Sequence, residues 1–565
     1  MSIYSKFLEM LSTRDESHFA KKAANKILSR FPGRDRYILE SGFTPSGKVH
    51  LGNFGDILIT EAVRRVLEAW GKDAESILVI DSKDPFRKPP VFLPDKFKSE
   101  ADRWLGRPLC NIPDPWGCHD SYAEHFVAPL VESLEKYGLR PRIVRAEEIH
   151  ILDSYVAALR RVILDRDKIR RILNRVHEAA GHRKRYGEQW IPYRPICGGC
   201  GRIDEKVIPK AVHDDGCVVE YVCSVCGYEG EADIRKGEGK PPWRIDWPLR
   251  WVIFDVHFEP MGKDLMAAGS SYHTGRALLL EYFGRQPPVA VFYDFFYWIE
   301  PGKEPRKFSK RLGVGLGAHE WLRYAPPEVL NYMILRRSVG DIERESLRHI
   351  DFCIYDIPTY VGRFDQDEKK LMEALLSNNL SSDDVRMAIA YFLSLIDPER
   401  ALRRPIRRVP YDAAMRVALW MIDVDDGLAI LRRMGALPPD ASDDEIRDAI
   451  TRIRCAQNFI RDCWRPPRID AKKILPELRV EEISALRYVL RSLLSIPPTN
   501  VNQRTVGNVV KDASRRYGVR PRRIYEIMYL AATGEKSGPQ ACRLFWKEFS
   551  RRNLERFLGA LQNAG

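Results

Sequence analysis

The chain has 565 residues, of which 44% are hydrophobic and 30% charged, a composition typical of a globular protein of about three to four domains. Its 91 Lys and Arg exceed its 78 Asp and Glu, and the net charge of +13 favours a polyanionic partner over a membrane surface. No stretch reaches the ~18 uninterrupted apolar residues of a membrane span, and the amino-terminal segment lacks the apolar core of a secretory signal. We therefore expect a protein that does not enter a membrane and is located in the cytoplasm.

The first predicted elements form a βαβ unit. From Arg36, the run RYILES predicts a strand, GFTPSGK a turn-rich loop, residues 49–71 a helix, and ESILVIDS a second strand. This is the repeating unit of a parallel, doubly wound sheet. We expect a Rossmann-like α/β domain with a parallel sheet.

An irregular region follows, rich in Pro, Gly, Cys and His, and it indicates an insertion that interrupts the sheet at 84–243. Strand-like runs return at Trp251–Phe258 and Val289–Phe295, with a helix-like segment at Gly275–Phe283 between them. The sheet is therefore predicted to resume after the insertion.

After Ala325 the apolar residues follow the 3.6-residue spacing of helices, and several of these segments begin with Ser or Asp caps. An all-α carboxyl-terminal domain is predicted. The predicted domains are a split catalytic domain at 1–83 and 244–300, an insertion at 84–243, a loop and connecting segment at 301–335, and a helical domain at 336–565.

The loop after the first predicted strand leads into a helix whose first turn carries His50, Gly52 and Asn53. Free N–H groups and the helix dipole favour phosphate at such a position. His50 and Asn53 are three residues apart and face one ligand, while Gly52 lets a flat ring approach the backbone. Taken singly, such a glycine is more often a packing residue and such a histidine more often an ordinary surface residue, and it is their combination that indicates a site.

A second candidate element, Lys307-Phe-Ser-Lys-Arg-Leu-Gly313, lies about 260 residues later in a glycine-rich segment. Glycines allow such a loop to move, and its cations can meet the charge that develops on phosphates during displacement at an α-phosphorus. By itself, a basic run more often marks a solvated face.

Together, PSGKxHxGN and KFSKR resemble the HIGH and KMSKS elements of class I aminoacyl-tRNA synthetases. Three positions depart from these elements, namely Asn53, Phe308 and Arg311. Asn still donates hydrogen bonds and Arg still carries charge, so we expect the function to be retained. The resemblance implies as catalytic residues His50, Gly52, Asn53, Lys307, Ser309 and Lys310. It implies as ATP-binding residues Pro45, Ser46, Gly47, His50, Gly52, Asn53 and Lys310.

Within class I, the chain most resembles the lysyl-tRNA synthetases found mainly in archaea. The resemblance is carried by GFTPSGKVHLGN, IPDPWGCH, the block WPLRW–FEPMGKD–SYHTG, KFSKR and YLAATGEKSGP. It implies activation of L-lysine by ATP, with Mg²⁺, and transfer to tRNA(Lys). A glutamyl or glutaminyl enzyme on the same fold, and a non-catalytic tRNA-binding protein, remain as alternatives.

The segment from Asp246 to Gly275 suits a pocket for a cationic, amphipathic ligand, because tryptophans can cover an aliphatic stem and the carboxylates of Asp246, Glu259 and Asp264 can pair with an ammonium. Trp247 and Trp251 are equally compatible with the core, and the carboxylates with structural salt bridges. The family resemblance places Gly42 and Thr44 near the lysine amino group or carboxylate. The candidate substrate-binding residues are Gly42, Thr44, Trp251, Glu259, Asp264 and His273.

Two cysteine pairs, Cys197-x-x-Cys200 and Cys223-x-x-Cys226, are separated by 22 residues. Two such thiolate pairs on glycine-containing knuckles close a tetrahedron around zinc. We predict a structural zinc ion, with a redox pair as the alternative.

A second group places Asp114, Cys118, His119 and His125 within twelve residues. Carboxylate, thiolate and imidazole ligands suit zinc, and a capped turn with an ordinary cysteine is the alternative. The family resemblance implies a metal ion at these positions, which gives two structural zinc ions in all.

Basic pairs recur along the helical region, as at Arg432-Arg433 and Arg515-Arg516, with aromatics such as Trp464 and Tyr517 nearby. Basic residues follow phosphates and aromatics stack on unpaired bases, although any one cluster more often belongs to a solvated helix face. The family resemblance implies that this region reads the anticodon of tRNA(Lys).

Overall fold

The computed structural model describes residues 2–183, 185–300, 302–377, 379–464, 469–538 and 540–563. The chain divides into two compact units, Met1–Arg408 and Val409–Gly565. Among the helices of the described ranges, none combines the length and the apolar character that crossing a membrane requires.

The strands of the described ranges all belong to the first unit. They are β1 Arg36–Phe43, β2 Asp73–Ile80, β3 Arg142–Arg145, β4 Arg194–Pro195, β5 Val207–Val212, β6 Val218–Cys223, β7 Glu229–Asp233, β8 Gly239–Lys240, β9 Val256–Gly262, β10 Val289–Tyr293, β11 Phe296–Trp298, β12 Arg306–Lys307, β13 Ser346–Leu347 and β14 Ile350–Phe352.

The α-helices of the first unit are α1 Ile3–Ser12, α2 Phe19–Arg30, α3 Leu51–Ala69, α4 Asp95–Ser99, α5 Tyr122–Leu134, α6 Ala146–Ile149, α7 Asp153–Leu164, α8 Arg166–Ala179, α9 Trp243–Ile253, α10 Ser271–Leu278, α11 Ala318–Trp321, α12 Pro327–Leu335, α13 Ile357–Leu376, α14 Ser382–Ser394 and α15 Pro398–Arg403. Those of the second unit are α16 Tyr411–Trp420, α17 Val424–Arg433, α18 Asp443–Asp462, α19 Ala471–Ile474, α20 Val480–Leu494, α21 Gln503–Tyr517, α22 Pro521–Thr533, α23 Arg543–Trp546 and α24 Glu548–Asn563.

The main sheet has the strand order β13-β10-β9-β1-β2-β3, and all of its neighbouring pairs are parallel. The predicted parallel sheet is therefore confirmed. From β1 the chain builds outward to β2 and β3 on one side, and β9, β10 and β13 later fill the other. The strand order thus reverses between β1 and β9, and ligands of such sheets bind in the crevice at that point.

The central elements form for ordinary reasons of burial. β1 and β2 are nearly continuous runs of buried residues, as expected of strands covered on both faces. Helix α3 connects them and buries Phe54, Ile57 and Leu58 among many others. Its first N–H groups are capped by the ring of His50, whose Nδ1 accepts from the Gly52 N–H at 3.2 Å.

The structure differs from the sequence prediction around residue 251. The segment Trp243–Ile253 is helix α9, and the strand begins only at Val256. Trp247 and Trp251 lie four residues apart, on one face of the helix, and both are 2% exposed. The end of this helix, Trp251–Ile253, is apolar and continues into the residues before β9, so the combined run resembled a single strand.

Parts of the main sheet also come from regions predicted to lie outside it. β3, at Arg142–Arg145, falls in the predicted insertion, and β13, at Ser346–Leu347, in the predicted helical domain. The remaining strands of the insertion form a separate three-stranded sheet, β5-β6-β7, and the pair β4-β8. The predicted helix at Gly275–Phe283 is present as the end of α10 and a following π-helical turn.

The second unit is helical throughout its described residues, which confirms the predicted helical carboxyl-terminal region. Its core is formed by apolar side chains of α20, α21, α22 and α24, including Val489, Leu490 and Phe557. Residues 336–408, predicted to belong with these helices, lie in the first unit instead.

Candidate functional site

The loop that follows β1 lies at the crevice where the strand order reverses. At its end lies the amino terminus of α3, where the Leu51 N–H is bonded to the Leu316 carbonyl and the Gly52 N–H to His50 Nδ1, so that the positive end of the helix dipole is what this terminus offers an anion. Burial and the charge of Lys310 lower the pKa of His50 to about 3. The imidazole is therefore neutral at pH 7, which is the state in which Nδ1 accepts a hydrogen bond from Gly52.

The structure brings the two distant motifs together. An added Cβ at Gly47 would lie 2.8 Å from the carbonyl oxygen of Lys310, so only glycine allows this approach. The Lys310 Nζ donates to the carbonyl oxygen of Thr44 at 2.8 Å. A further backbone bond joins the Leu51 N–H to the carbonyl of Leu316 at 2.8 Å.

The loop carrying KFSKR is closed by paired backbone hydrogen bonds between Ser309 and Val314. The Ser309 Oγ also accepts from the Leu312 N–H at 3.3 Å. Phe308 is buried, with its ring 5.6 Å from that of His50 and 5.5 Å from that of Phe296. Phe308 therefore anchors the loop through its ring, in the position where the family motif has methionine.

The two lysines of this loop have no carboxylate within ion-pair distance among the described residues. Burial lowers the pKa of Lys310 to about 8, and it also lowers the pKa of Lys307. The Lys307 Nζ lies 3.0 Å from the ring centroid of Phe295. Both charges are thus partly desolvated and only weakly compensated, a state that a phosphate group would relieve.

The glycine and threonine predicted to contact an amino acid lie at the end of β1. Gly42 packs closely against β2, because an added Cβ would lie 3.1 Å from the carbonyl oxygen of Val79. The Thr44 Oγ1 donates to Asp84 Oδ2 at 2.8 Å. Thr44 is therefore held through both its side chain and its carbonyl oxygen.

Glu259 is the most constrained of the predicted ammonium partners. The Trp247 indole N–H donates to both of its oxygens, at 3.0 and 2.9 Å, and the Trp251 indole donates to Oε2. Burial raises the pKa of Glu259 to about 7, although these indoles and Arg250 act in the opposite direction. The tryptophans are thus core residues that also orient a carboxylate beside the crevice.

The other predicted pocket residues are distributed differently. Asp246 is committed to structure, since it accepts hydrogen bonds from His150 and Tyr155 and is 1% exposed. Asp264 is exposed at the rim, and His273 is half-buried with its Nε2 donating to the carbonyl of Met266 at 3.2 Å.

Two buried carboxylates beside Glu259 escaped sequence reasoning. Burial raises the pKa of Asp56 to about 7, against the effect of a hydrogen bond from Tyr293. Glu40 is 0% exposed, neither of its oxygens has a hydrogen-bond partner among the described residues, and Arg250 Nε lies 3.8 Å away. The available signal was an acidic residue within each otherwise apolar run, RYILESGF and GDILIT.

The four predicted cysteine ligands converge. Cys197 Sγ lies 3.6 Å from Cys226 Sγ, and Cys200 Sγ lies 3.6 Å from Cys223 Sγ. All four sulfurs lie within 4.8 Å of one another. Thiolates of a tetrahedral zinc site are about 3.8 Å apart for Zn–S bonds of about 2.3 Å, so this group fits the ion.

The second predicted metal group also converges. Cys118 Sγ lies 3.1 Å from Asp114 Oδ2, 3.1 Å from His119 Nδ1 and 3.3 Å from His125 Nδ1. Its four ligand atoms also lie within 4.8 Å of one another, and this mixed set suits zinc. The group borders the nucleotide loop, because Tyr122 of the same helix as His125 donates to the Ser46 carbonyl at 3.1 Å.

In the second unit, a cavity of about 630 Å³ opens among the helices. Its wall includes Trp420, Trp464 and Phe549, with Arg416 at the same cavity. The Trp464 ring meets Phe549 edge-on at 5.7 Å and is half-exposed, as is Tyr517 elsewhere in this unit. Aromatic and cationic walls of this kind suit a stacked base.

Known proteins provide a comparison for this arrangement. A family model described as "tRNA synthetases class I (K)" matches residues 17–392. The lysine--tRNA ligase of Methanocaldococcus jannaschii is 30% identical over 534 residues, which cover 93% of this chain and 96% of the relative. That of Pyrococcus horikoshii is 30% identical over 529 residues, with the same two coverages. Lysine--tRNA ligase 1 of Methanosarcina acetivorans is 36% identical over 319 residues, 56% of each chain.

Proposed function

Since the chain belongs to the class I lysyl-tRNA synthetases, we propose that it is a lysine–tRNA ligase that acts in two steps at the crevice beside β1. ATP and L-lysine first give lysyl-adenylate and pyrophosphate. The lysyl group then passes to the 3′-terminal adenosine of tRNA(Lys), and AMP leaves. As a translation enzyme, the protein is assigned to the cytoplasm.

The observation that carries this proposal is the convergence of the two motifs. Residues 44–53 and 307–310 are distant in sequence, yet Gly47 touches the backbone of Lys310 and Lys310 donates to Thr44. The positive end of a helix dipole and two weakly compensated cations are thus brought together at one crevice. This is the electrostatic arrangement that a triphosphate requires.

In the first step, a carboxylate oxygen of lysine attacks the α-phosphorus of ATP. The new O–P bond forms as the bond from the α-phosphorus to the bridging oxygen breaks, and pyrophosphate departs with that electron pair. The nucleophile belongs to the substrate, so the protein supplies orientation and charge. Lys307 and Lys310 stabilise the departing pyrophosphate, and Mg²⁺ bound with ATP neutralises phosphate charge. His50 and Asn53 contact the phosphates or the adenosine.

The lysine ammonium is assigned to the carboxylates beside the crevice. Glu259 and Asp56 are 6% and 8% exposed, which leaves them a surface to offer a ligand, whereas Glu40 at 0% lies beneath them. Two indoles orient Glu259, and we assign the amino group or the carboxylate of lysine to Thr44. A side chain with an anionic end, as in glutamate, would meet these acidic groups unfavourably.

We infer the metal ions and the RNA-binding region from the membership of the chain in the class I lysyl-tRNA synthetases. The two ligand groups around Cys197 and Asp114 would hold structural zinc ions, which would fix the insertion without taking part in catalysis. The helical second unit, Val409–Gly565, would read the anticodon of tRNA(Lys), with aromatics such as Trp464 stacking on bases.

Amino-acid-dependent ATP–pyrophosphate exchange, run on the purified chain with each of the twenty amino acids, tests the proposal. Exchange with lysine and not with glutamate or glutamine is the expected result. Exchange with glutamate alone would assign the protein to the glutamyl enzymes. Binding of tRNA(Lys) with no exchange for any amino acid would make it a non-catalytic tRNA-binding protein.

A further inference from the structure

A lysine of the insertion reaches the crevice from outside the main sheet. Lys240 lies on β8, which pairs antiparallel with β4, so that Lys240 is opposite Arg194. Its side chain is 4% exposed and points away from solvent towards the loop after β2. Burying a long cationic side chain costs free energy unless it is paired.

Lys240 is paired with two carboxylates. Its Nζ lies 2.6 Å from Asp84 Oδ1 and 3.5 Å from Asp246 Oδ2. Asp246 is also bonded to His150 and Tyr155, whereas Asp84 directs its second oxygen to the Thr44 hydroxyl at 2.8 Å. A continuous chain of charge-assisted hydrogen bonds therefore runs from Lys240 through Asp84 to Thr44.

The Asp84 carboxylate depends on Lys240 for its charge. Burial disfavours its ionisation, and Asp246 does so too, yet its pKa is lowered because Lys240 and the Thr44 hydroxyl stabilise the anion. Without the ammonium, Asp84 would face Asp81 and Asp246 with no cation bonded to it. The acceptor that orients the Thr44 hydroxyl would then protonate or turn away.

We propose that Lys240 is a positioning residue for the amino-acid site: it holds Asp84 so that the Thr44 hydroxyl stays fixed at the mouth of the pocket. This inference rests on the proposed function, because it requires lysine to bind beside Thr44. It makes the insertion a working part of the substrate site as well as a scaffold.

A neighbouring lysine provides a matched control. Lys83 is also buried, at 6% exposure, and its Nζ donates to the carbonyl oxygens of Gly237 at 2.6 Å and Gly239 at 3.4 Å. It therefore anchors the same stretch of the insertion as Lys240. Lys83 precedes Asp84 in the chain, but among the described residues its ammonium makes no hydrogen bond or ion pair with Asp84 or Thr44.

The test is a double-mutant cycle in the ATP–pyrophosphate exchange assay, with K240M, T44V and the K240M/T44V pair. K240M is expected to raise the KM for lysine about tenfold and to leave the KM for ATP within about twofold, as expected of a lost charge-assisted hydrogen bond. T44V is expected to do the same. In the double variant the two effects should not add, because Lys240 acts through Thr44.

Lys83→Met should leave the KM for lysine within about twofold even if it lowers the melting temperature, and K240R should restore most of the affinity. If K240M raised the KM for lysine by the same factor in the wild-type chain and in the T44V variant, the inference would be overturned. A KM increase for K83M equal to that of K240M would also overturn it.

If K240M does not fold, as judged by its melting curve, the double-mutant cycle is repeated with D84A in place of K240M, using the D84A, T44V and D84A/T44V variants. Non-additive effects support the positioning role, and additive effects overturn it. A wild-type chain with no lysine-dependent exchange would instead refute the proposed function, so the two failures are distinguishable.

Discussion

The two sides of the crevice beside β1 are built in opposite ways. On the side that we assign to ATP, the nucleotide side, Lys307 and Lys310 belong to a glycine-containing loop, bond to backbone or face an aromatic ring, and have no carboxylate partner among the described residues. On the side that we assign to lysine, the amino-acid side, Glu259 is buried and fixed by two indoles.

Under the proposed function, the difference follows from the ligand that each side binds. Phosphate charge moves during the reaction, so cations that stabilise it have to be available when pyrophosphate leaves. The side chain of lysine does not change during the reaction, and its selection depends on a carboxylate that is rigid and partly desolvated beforehand. Substitutions on the two sides should therefore affect different kinetic constants.

The largest effect is expected from Lys310→Ala on the nucleotide side. Adenylate formation should slow by ~10²–10³, the usual loss when one preorganised charge is removed from a transition state, while the KM for lysine stays nearly unchanged. Lys303→Ala is the matched control, because Lys303 precedes the same loop but is paired with Glu300. Near-normal exchange in the K310A variant would remove the basis for the mechanism.

On the amino-acid side, Glu259→Gln should raise the KM for lysine by about 10- to 100-fold, as expected when a buried ammonium loses a charged partner. The KM for ATP should stay within about twofold. Glu281→Gln is the control, because Glu281 is paired with Arg175 on the outside of the unit. An unchanged KM for lysine would show that Glu259 is not the partner of the lysine ammonium and would assign that role to Asp56.

A steric change sharpens the comparison. Gly47→Ala places a methyl group 2.8 Å from the Lys310 carbonyl oxygen, so the loop must shift. Adenylate formation should fall roughly tenfold, less than the hundredfold that a full ångström of misplacement can cost. Gly55→Ala, on helix α3 directly after this loop, meets no atom within 4 Å and should be silent. Equal rates for the two variants would show that the loop does not need this contact.

The smallest effects are those of pH. Since the pKa of Lys310 is about 8, kcat/KM for ATP should fall as pH rises through 8, when the ammonium loses its proton. K310R should move this limb upward, because guanidinium stays charged.

The amino-acid side should titrate in the other direction. The pKa of Glu259 is about 7, so kcat/KM for lysine should fall as pH drops below 7 and the carboxyl becomes neutral. Exchange assays between pH 6 and 9 measure both limbs. If kcat/KM for ATP and kcat/KM for lysine fell over the same pH range, the separation of the two sides would be contradicted.

Local patterns were sufficient for much of the fold. The β1–α3–β2 unit, the helical second unit and the convergence of the cysteines could all be predicted, because each depends on spacing within a short segment. The end of α9 could not be separated from the strand that follows it, because Trp251–Ile253 are apolar and run on into the residues before β9.

The site was harder to predict than the fold. That Gly47 approaches Lys310 follows from sheet topology, which no local spacing encodes, and only the family resemblance indicated it. Glu40 and Asp56 were missed because a single acid in an apolar run predicts nothing until its neighbours are known. Asp246 was offered as an ammonium partner, but His150 and Tyr155 already occupy it.

The strand order also has a consequence for biosynthesis. β1 ends at Phe43, whereas β9, which covers one of its edges, begins at Val256. At a synthesis rate of about 5–20 residues per second, this edge waits roughly 10–40 s on the ribosome for its partner. During that interval the nascent β1–β2 pair exposes an apolar, unpaired backbone edge. The emerging chain should therefore be a strong client for chaperones until translation passes β9.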